Sequence, residues 1–419
     1  MNKLEKGIYN LVKSTPRLKF ILRNLYQGFF DLLPRKGEYF LDNIQYKQGF
    51  FFGFHDINPF SKTNDKLLSN RLLNDNLIIP NLGDKLNVGF FNLENGLIKE
   101  YVELDSSLSW NFHKGCRLQW LDDKTIIFNT YFKKKLVSKT LNIQSKEKTY
   151  LDFPIDSLSA DSTMASSFSY ERLNHFMPGY GYKGVKDKGF LSEKTPEHTG
   201  IFIYDISSGK LLKMISLKAL VDLDESKQKL FPFNHFVTHS SFSKDGHYLS
   251  FLHRWVGTDL NKRKSKLIVY DIKNDKYIII PAHGMVSHYV WTEENNIIAY
   301  CNIDGVDGHY MISIPNIDII MHISPESLNS DGHQTSVSNN SFITDTYPDK
   351  YRLSTIIRID ISENKSETIG RIYSPKKFQT KSFKNHIACD LHPRSSKDGT
   401  LLCFDAVRKM KRSICVMRI

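Results

Sequence analysis

The 419-residue chain is 40% apolar but has no run of eighteen or more apolar residues, which excludes a helix that spans a bilayer. Its net charge of +12 is uneven, because residues 1–36 hold eight Lys and Arg against two acids and so carry half of the excess. Five cysteines without CxxC spacing read as buried free thiols of a reducing compartment, and no helix-turn-helix, zinc-finger or RNP pattern is present. Nucleic acid is thereby excluded as a partner, and anionic lipid or acidic glycan remains.

The chain opens with helical spacing. Leu4, Ile8, Leu11 and Val12 share one helical face; Thr15-Pro16 then offers an N-cap and a first-turn proline before Leu18, Ile21, Leu22 and Leu25 repeat the pattern. Lys13, Arg17, Lys19 and Arg23 flank the apolar stripe. Two readings stand. Residues 1–36 lie peripherally on an anionic membrane, or they pack their stripe on the main domain with the basic groups solvated. Residues 1–44 are assigned to this extension. The N-terminus has no secretory-signal pattern, so a cytoplasmic location, peripheral at the inner membrane face, is expected.

From residue 45 short β-rich runs bounded by Asp, Asn, Gly, Ser and Lys take over. A strand signal of Ser-x-Asp-Gly type recurs near Phe54, Gln119, Phe168, Phe242, Trp291, Val337 and Ser395, at roughly 45 to 75 residues, a spacing that fits propeller blades. A second hairpin follows, clearest in VGFFNLENG (88–96), IFIYDISSGK (201–210), LIVYDIKNDK (267–276) and IIRIDISENK (356–365). Two hairpins make a four-stranded blade, so the expected fold is all-β: a seven-bladed β-propeller over 45–419 with a short helical N-terminal extension. Ile414 to Arg418 either completes the last blade or closes the ring with the first. The polar stretches from Pro178 to His198 and Asp222 to Asn234 read as loops over one face.

Histidine recurs at or near one point of the repeat: His239 in THSSFSKDG, His288 in SHYVW, His333 in DGHQT, His392 in LHPRSSKDG and His55 in FHDINPFS. The first strand of a blade lines the central channel, so such residues gather on one rim. His239, His288, His333 and His392 come from four consecutive blades and form an arc; His55 is set two blades apart from it. The third blade has Ala165, in MASSFS, at the histidine position. Converging imidazoles with Gln334 or Asp390 beside them suit a divalent metal such as Mn or Zn, whereas a single inner-strand histidine would merely satisfy a backbone carbonyl. Cations and aromatics gather on the same rim: His235, Arg254 and Trp255, Asp345-Thr346-Tyr347, the segment from Arg172 to Tyr182 that includes Tyr180, and Trp110, His113 and Arg117. A sugar ring with a carboxylate needs these groups, a stacking face for its C–H bonds and a fork for its anion. Trp120 and Trp291, in phase with Phe242, read as blade packing.

These motifs resemble the TolB-like seven-bladed propellers and, within them, the oligogalacturonate-lyase-like polysaccharide lyases. The residues that carry the resemblance are His239 before its SFSxDG strand, the SHxxW of His288, Asp331-Gly332-His333-Gln334-Thr335, and the segment from Asp390 to Gly399. The resemblance implies a metal-dependent enzyme that cleaves an acidic, uronate-containing oligosaccharide or polysaccharide by β-elimination. A neutral imidazole, ordinarily titrating at about 6.5, would take the C5 proton. By position, His239 resembles the base, His288, His333 and Gln334 the metal ligands, and His392 a replacement ligand. Arg254 or Arg172 would face the carboxylate, with Tyr180, Tyr182 or Tyr347 as acid. The lyases' compact Gln-x-x-His-x-His cluster is missing, since Thr335, Ser336, Val337 and Ser338 follow Gln334. The competing reading is a non-catalytic glycan-binding or scaffold protein in surface polysaccharide biosynthesis. No GxSxG elbow supports a serine hydrolase.

Overall fold

The structure is a computed structural model that describes residue 7 and residues 15–34, 36–224, 226–325, 328, 330–379 and 386–419. The first expected helix falls, but for Gly7, outside the described residues. The second forms as α1 (Pro16–Phe30), with proline at its first turn but no side-chain cap from Thr15. Two short strands follow, β1 (Tyr39–Phe40) and β2 (Gln45–Gln48).

Seven antiparallel sheets succeed one another as a seven-bladed propeller. Blade 1 is β3 (Phe50–Phe51), β4 (Lys66–Arg71), β5 (Leu86–Glu94) and β6 (Leu97–Ser107). Blade 2 is β7 (Gln119–Trp120), β8 (Thr125–Phe132), β9 (Lys135–Asn142) and β10 (Lys148–Leu151). Blade 3 is β11 (Ser157–Leu158), β12 (Met164–Ser167), β13 (Gly200–Asp205) and β14 (Leu211–Ser216). Blade 4 is β15 (Asn234–Phe242), β16 (Tyr248–Val256), β17 (Lys264–Asp271) and β18 (Lys276–Ile279). Blade 5 is β19 (Val286–Trp291), β20 (Asn296–Ile303), β21 (Val306–Ser313) and β22 (Ile320–Ile323). Blade 6 is β23 (Thr335–Ser338), β24 (Ser341–Asp345), β25 (Leu353–Asp360) and β26 (Lys365–Tyr373), with β1 added at its outer edge. Blade 7 is β27 (Arg394–Ser395), β28 (Leu401–Arg408) and β29 (Lys411–Arg418), and its outermost strand is β2.

The ring therefore closes through the N-terminal side of the chain. β29 is the third strand of blade 7, and β2 pairs with it antiparallel from Gln45 opposite Val416 to Gln48 opposite Ser413. One apolar cluster crosses this seam without a break, joining Cys403, Ile414 and Val416 of blade 7 to Leu67 and Phe91 of blade 1 and Ile126 of blade 2.

The Ser-x-Asp repeat is turn chemistry. In blades 3, 4 and 7 a serine hydroxyl donates to the aspartate two residues on, in Ser159–Asp161, Ser243–Asp245 and Ser396–Asp398, each at 2.6 Å. The same oxygen accepts the N–H of Met164, Tyr248 or Leu401, which opens the second strand. This register corrects the third repeat. Its inner strand is β11, and MASSFS is the second strand β12, so Ala165 is not the counterpart of His239; Ile155 is.

Because the strands alternate in direction, the connections between blades and those between second and third strands leave the ring at one end, where each inner strand begins. The two polar stretches lie at this end. The first follows α2 (Tyr170–Phe176), and the second holds α4 (Lys227–Leu230) after α3 (Leu217–Asp222). In several blades a polar side chain late in the second strand ties this opening to the next blade. Asn129 of β8 donates to the Ile155 carbonyl and accepts the Ile155 N–H, both at 2.8 Å. Asp405 of β28 accepts the N–H groups of Phe52 and Gly53. Asn129→Ala strands two buried backbone groups and should lower unfolding free energy by about 2–4 kcal/mol. Denaturant titration beside the exposed control Asn76→Ala checks this; equal midpoints would refute the clamp.

Candidate functional site

The site is built around a phenyl ring. After β3 the chain is pinned by Asp405, and Gly53 (φ +126°) passes so near the Lys114 backbone that a Cβ would lie 2.9 Å from its carbonyl carbon. Phe54 follows, buried, and six imidazoles surround it. Ring centroids lie 4.5 Å away for His55, 4.8 Å for His239, 5.0 Å for His113 and His392, 5.9 Å for His288 and 6.0 Å for His333.

The four histidines of the expected arc are thus brought together, and His55 joins them. Setting it two blades apart was wrong, because closure makes blade 1 the neighbour of blade 7. Its ring lies 5.5 Å from His288, 5.3 Å from His333 and 6.3 Å from His392. Within the arc His333 touches both His288 and His392 at 4.3 Å, and His392 lies 4.8 Å from His113.

Buried carboxylates orient these rings. Asp345 accepts from His333 Nδ1 at 2.9 Å, from the His333 N–H at 2.7 Å and from the His392 N–H at 3.1 Å. Asp331 lies 3.3 Å from His288 Nδ1 and accepts from Ser287 Oγ. Such pairing holds Nδ1 and leaves Nε2 for a ligand. Among the described residues, His55 Nε2, His239 Nε2, His333 Nε2, His392 Nε2 and both nitrogens of His113 are buried without a hydrogen-bond partner. So many orphaned nitrogens at one place call for an occupant. His113, His392 and Asp390 present one ligand atom each, all within 4.8 Å of one another. Imidazoles with a carboxylate are a donor set for a divalent transition metal, so the residues fit the cation that the sequence implied.

His239 is held in the left-handed region (φ +56°), as is His392 (φ +47°). The next residue, Ser240, donates N–H and hydroxyl to buried Asp156 at 3.0 and 2.8 Å, and the Tyr289 hydroxyl donates to the His239 carbonyl. Nδ1 meets Thr238 Oγ1 at 2.9 Å, so when Nδ1 donates, the lone pair falls on Nε2. Burial, then Arg254 and Lys114, hold the His239 pKa well below 6.5, and burial likewise depresses His55, His113, His288 and His392. His333 is the exception. Burial opposes its charge, but Asp345, Asp390 and Asp331 outweigh it and raise its pKa. Asp390, pushed up by burial, titrates at about 6.

The other expected residues divide. Arg254 reaches the site side: Nη2 donates to the Ser287 carbonyl at 3.2 Å, Nε has no partner, and burial followed by Arg263 brings its pKa to about 10. The Tyr180 ring lies tilted against His113 at 4.1 Å and 6.0 Å from His239, and burial raises its pKa so that the phenol stays protonated. Tyr347 is exposed at the mouth, 5.6 Å from His333. Arg172 and Tyr182 do not meet the cluster. The Arg172 guanidinium is spent on the carbonyls of His235, Gly189, Phe190, Glu193 and Lys194, and Tyr182 stacks on Tyr170 at 4.5 Å with its hydroxyl toward Asn129. The Gln334 side-chain amide nitrogen meets His309 Nδ1 at 3.2 Å, and its main-chain carbonyl accepts from His55 at 2.8 Å.

Two residues enter without forewarning from the repeat, Lys114, whose Nζ lies 5.7 Å from the Phe54 ring, and His386, whose ring lies 4.6 Å from His113; Phe54 itself marked only the place of the first copy. The nearest signal lies in NFHKG. Asn111 there accepts the N–H groups of His113 and Lys114 and folds the loop that delivers both.

No family model and no curated protein matches the sequence. Solved structures match in fold. An oligogalacturonate lyase in complex with manganese aligns at a TM-score of 0.62 and 11% identity, over 92% of this chain and 98% of its own. The oligogalacturonate lyase of Vibrio parahaemolyticus aligns at 0.58 and 11% identity, over 91% and 98%. TolB from Acinetobacter baumannii matches at 0.39 and 10% identity, over 84% and 80%. The resemblance read from the sequence holds at the level of the seven-bladed fold.

The raised pKa of His333 carries a sign. Protonated His333 adds stability below its unfolded value near 6.5, and this is lost as pH rises through the higher folded value. In metal-free protein the stability advantage of wild type over Asp345→Asn should shrink across that window; an advantage constant with pH would break the His333–Asp345 link.

Proposed function

We propose that this chain is a metal-dependent, carbohydrate-active propeller that cleaves an acidic, uronate-containing glycan by β-elimination. The observation that carries the reading is the convergence of buried imidazoles with unpartnered nitrogens around Phe54. The two lyases that share the fold support it, one of them a manganese complex.

His113, His392 and Asp390 would hold the cation, with His333 and His288 next to them. When bound, Mn or Zn supplies positive charge that acidifies the proton beside the uronate carboxylate. Arg254, whose Nε has no partner, would bind that carboxylate. His239 stays neutral at neutral pH because burial disfavours imidazolium, so Nε2 can accept the C5 proton. The C5–H electron pair becomes the C4–C5 double bond, the C4–O4 bond breaks, and the protonated phenol of Tyr180 returns a proton to O4.

Burial of the same histidines favours a second reading, a non-catalytic glycan-binding or scaffold propeller: His113 and His333 are each only 1% exposed. One assay separates the two. Purified protein is analysed for bound metal and then given uronate polymers while the ultraviolet absorbance of unsaturated products is followed. The lyase reading expects bound metal and product, activity lost to a chelator and restored by Mn or Zn, and a fall of about 10²–10⁴-fold in kcat for His239→Ala. Arg254→Ala should act mainly by raising KM. Neither metal nor product across a broad polymer panel would leave the scaffold reading.

A further inference from the structure

The fold places α1 at the end of the ring where the histidines lie, and it is held there by its polar edge. Gln27 is buried and donates to the carbonyls of Pro348 and Asp349 at 3.3 and 2.9 Å, in the loop between β24 and β25. Asp31 accepts a two-pronged bond from Arg352 at 2.6 and 2.8 Å, Arg352 also donates to Gln27 Oε1, and Phe30 packs edge-on against Tyr351 at 5.0 Å. Pro348 and Asp349 directly follow Tyr347, whose ring lies 5.6 Å from His333, so the helix borders the mouth.

This docking decides between the two readings of the stripe. Packing on the propeller would bury Leu18, Ile21, Leu22 and Leu25, yet these are 44%, 53%, 36% and 68% exposed. Phe29 at 61% and Leu32 at 83%, just past the helix end, continue the exposed stripe. Gln27 falls about two and a half turns beyond Leu18 at 3.6 residues per turn, on the opposite face. The buried face is therefore polar and the outward face apolar, the reverse of a helix that completes a core.

We infer that α1 is a docking element for an anionic lipid surface, and that it turns the mouth of the propeller toward the bilayer. Charge selects this occupant. The helix contains Arg17, Lys19 and Arg23 and no acid, and helical spacing sets positions 17 and 19 on opposite borders of the stripe. Apolar residues on the outer face bordered by cations are what lets a helix lie in the headgroup region with its stripe in the acyl boundary. No helix among the described residues is long and apolar enough to cross a membrane, so the contact is peripheral.

The test is co-sedimentation of the full chain with vesicles of phosphatidylcholine alone and of phosphatidylcholine with about one-third phosphatidylglycerol, a fraction at which surface charge dominates. Binding is expected to the anionic vesicles only, and it should weaken as salt rises. Leu22→Asp with Leu25→Asp should reduce binding at least about tenfold. Arg17→Glu with Lys19→Glu should reduce it about fivefold or more for each charge. Leu22 and Leu25 lie on an exposed helix face, and an unchanged melting temperature of each variant confirms the fold. Equal binding to neutral vesicles, or binding that neither variant weakens, overturns the proposal. So does failure to bind together with a dimer that Leu22→Asp dissolves, which would assign the stripe to a second copy of the chain. The readout is binding alone, so it stands or falls separately from the lyase reading.

Discussion

A few buried polar side chains on second strands and inter-blade turns hold the channel wall, and everything at the site depends on them. Asp156 is the fullest case. It accepts from Lys114 Nζ at 2.7 Å and from Ser240, while its carbonyl accepts from Arg117, which also forks onto Asp56. One residue thereby ties the openings of blades 1 to 4. An isolated buried carboxylate would be costly, but here two cations and hydrogen bonds to Ser240 offset the desolvation, and its pKa is lowered despite burial. Asp345 and Asp405 do the same work across blades 6, 7 and 1. Each of the three holds a turn next to a histidine: Ser240 after His239, the His392 amide itself, and Gly53 before Phe54 and His55.

This arrangement explains why imidazoles can crowd without charging. Six rings around one phenyl group would repel one another as imidazolium ions, and burial keeps most of them neutral. Only His333 is drawn toward the charged form, because Asp345 lies against it. Positive φ at His239 and His392 is a local conformational cost that the surrounding hydrogen bonds maintain. Positive φ and imidazoles held neutral by burial thus occur at the same two residues.

The blade count and the second hairpins were legible because turn chemistry is local: a serine two residues before an aspartate closes a hairpin wherever it stands. Register failed in the third repeat, where MASSFS has the composition of an inner strand but the pairing of a second one. Adjacency failed for His55, because the neighbour of the first blade is set by closure of the ring and not by order along the chain. Phe54 marked the place of the first copy but, as one of 28 phenylalanines, not its part at the centre of the imidazoles. Arg172, Tyr182 and Gln334 stood in the right neighbourhood, but the direction of their side chains is decided by carbonyls and rings that no spacing reveals. The amphipathic pattern of α1 was plain, yet only the docking of Gln27 and Asp31 told which face looks outward.

The seam between β2 and β29 has a consequence for how the protein is made. Gln45 and Val416 are partners across a chain separation of 371 residues, so a ribosome would release the first strand of the seam long before the last one exists. Through most of synthesis β2 has no strand to add to, and the blade 1 core that it leads into lacks its wall of Cys403, Ile414 and Val416. Ring closure is thus a late, long-range event whose rate is set by a large loop entropy. Until it occurs, the histidines of blades 1 and 7 are on opposite edges of an open crescent, and the site does not exist.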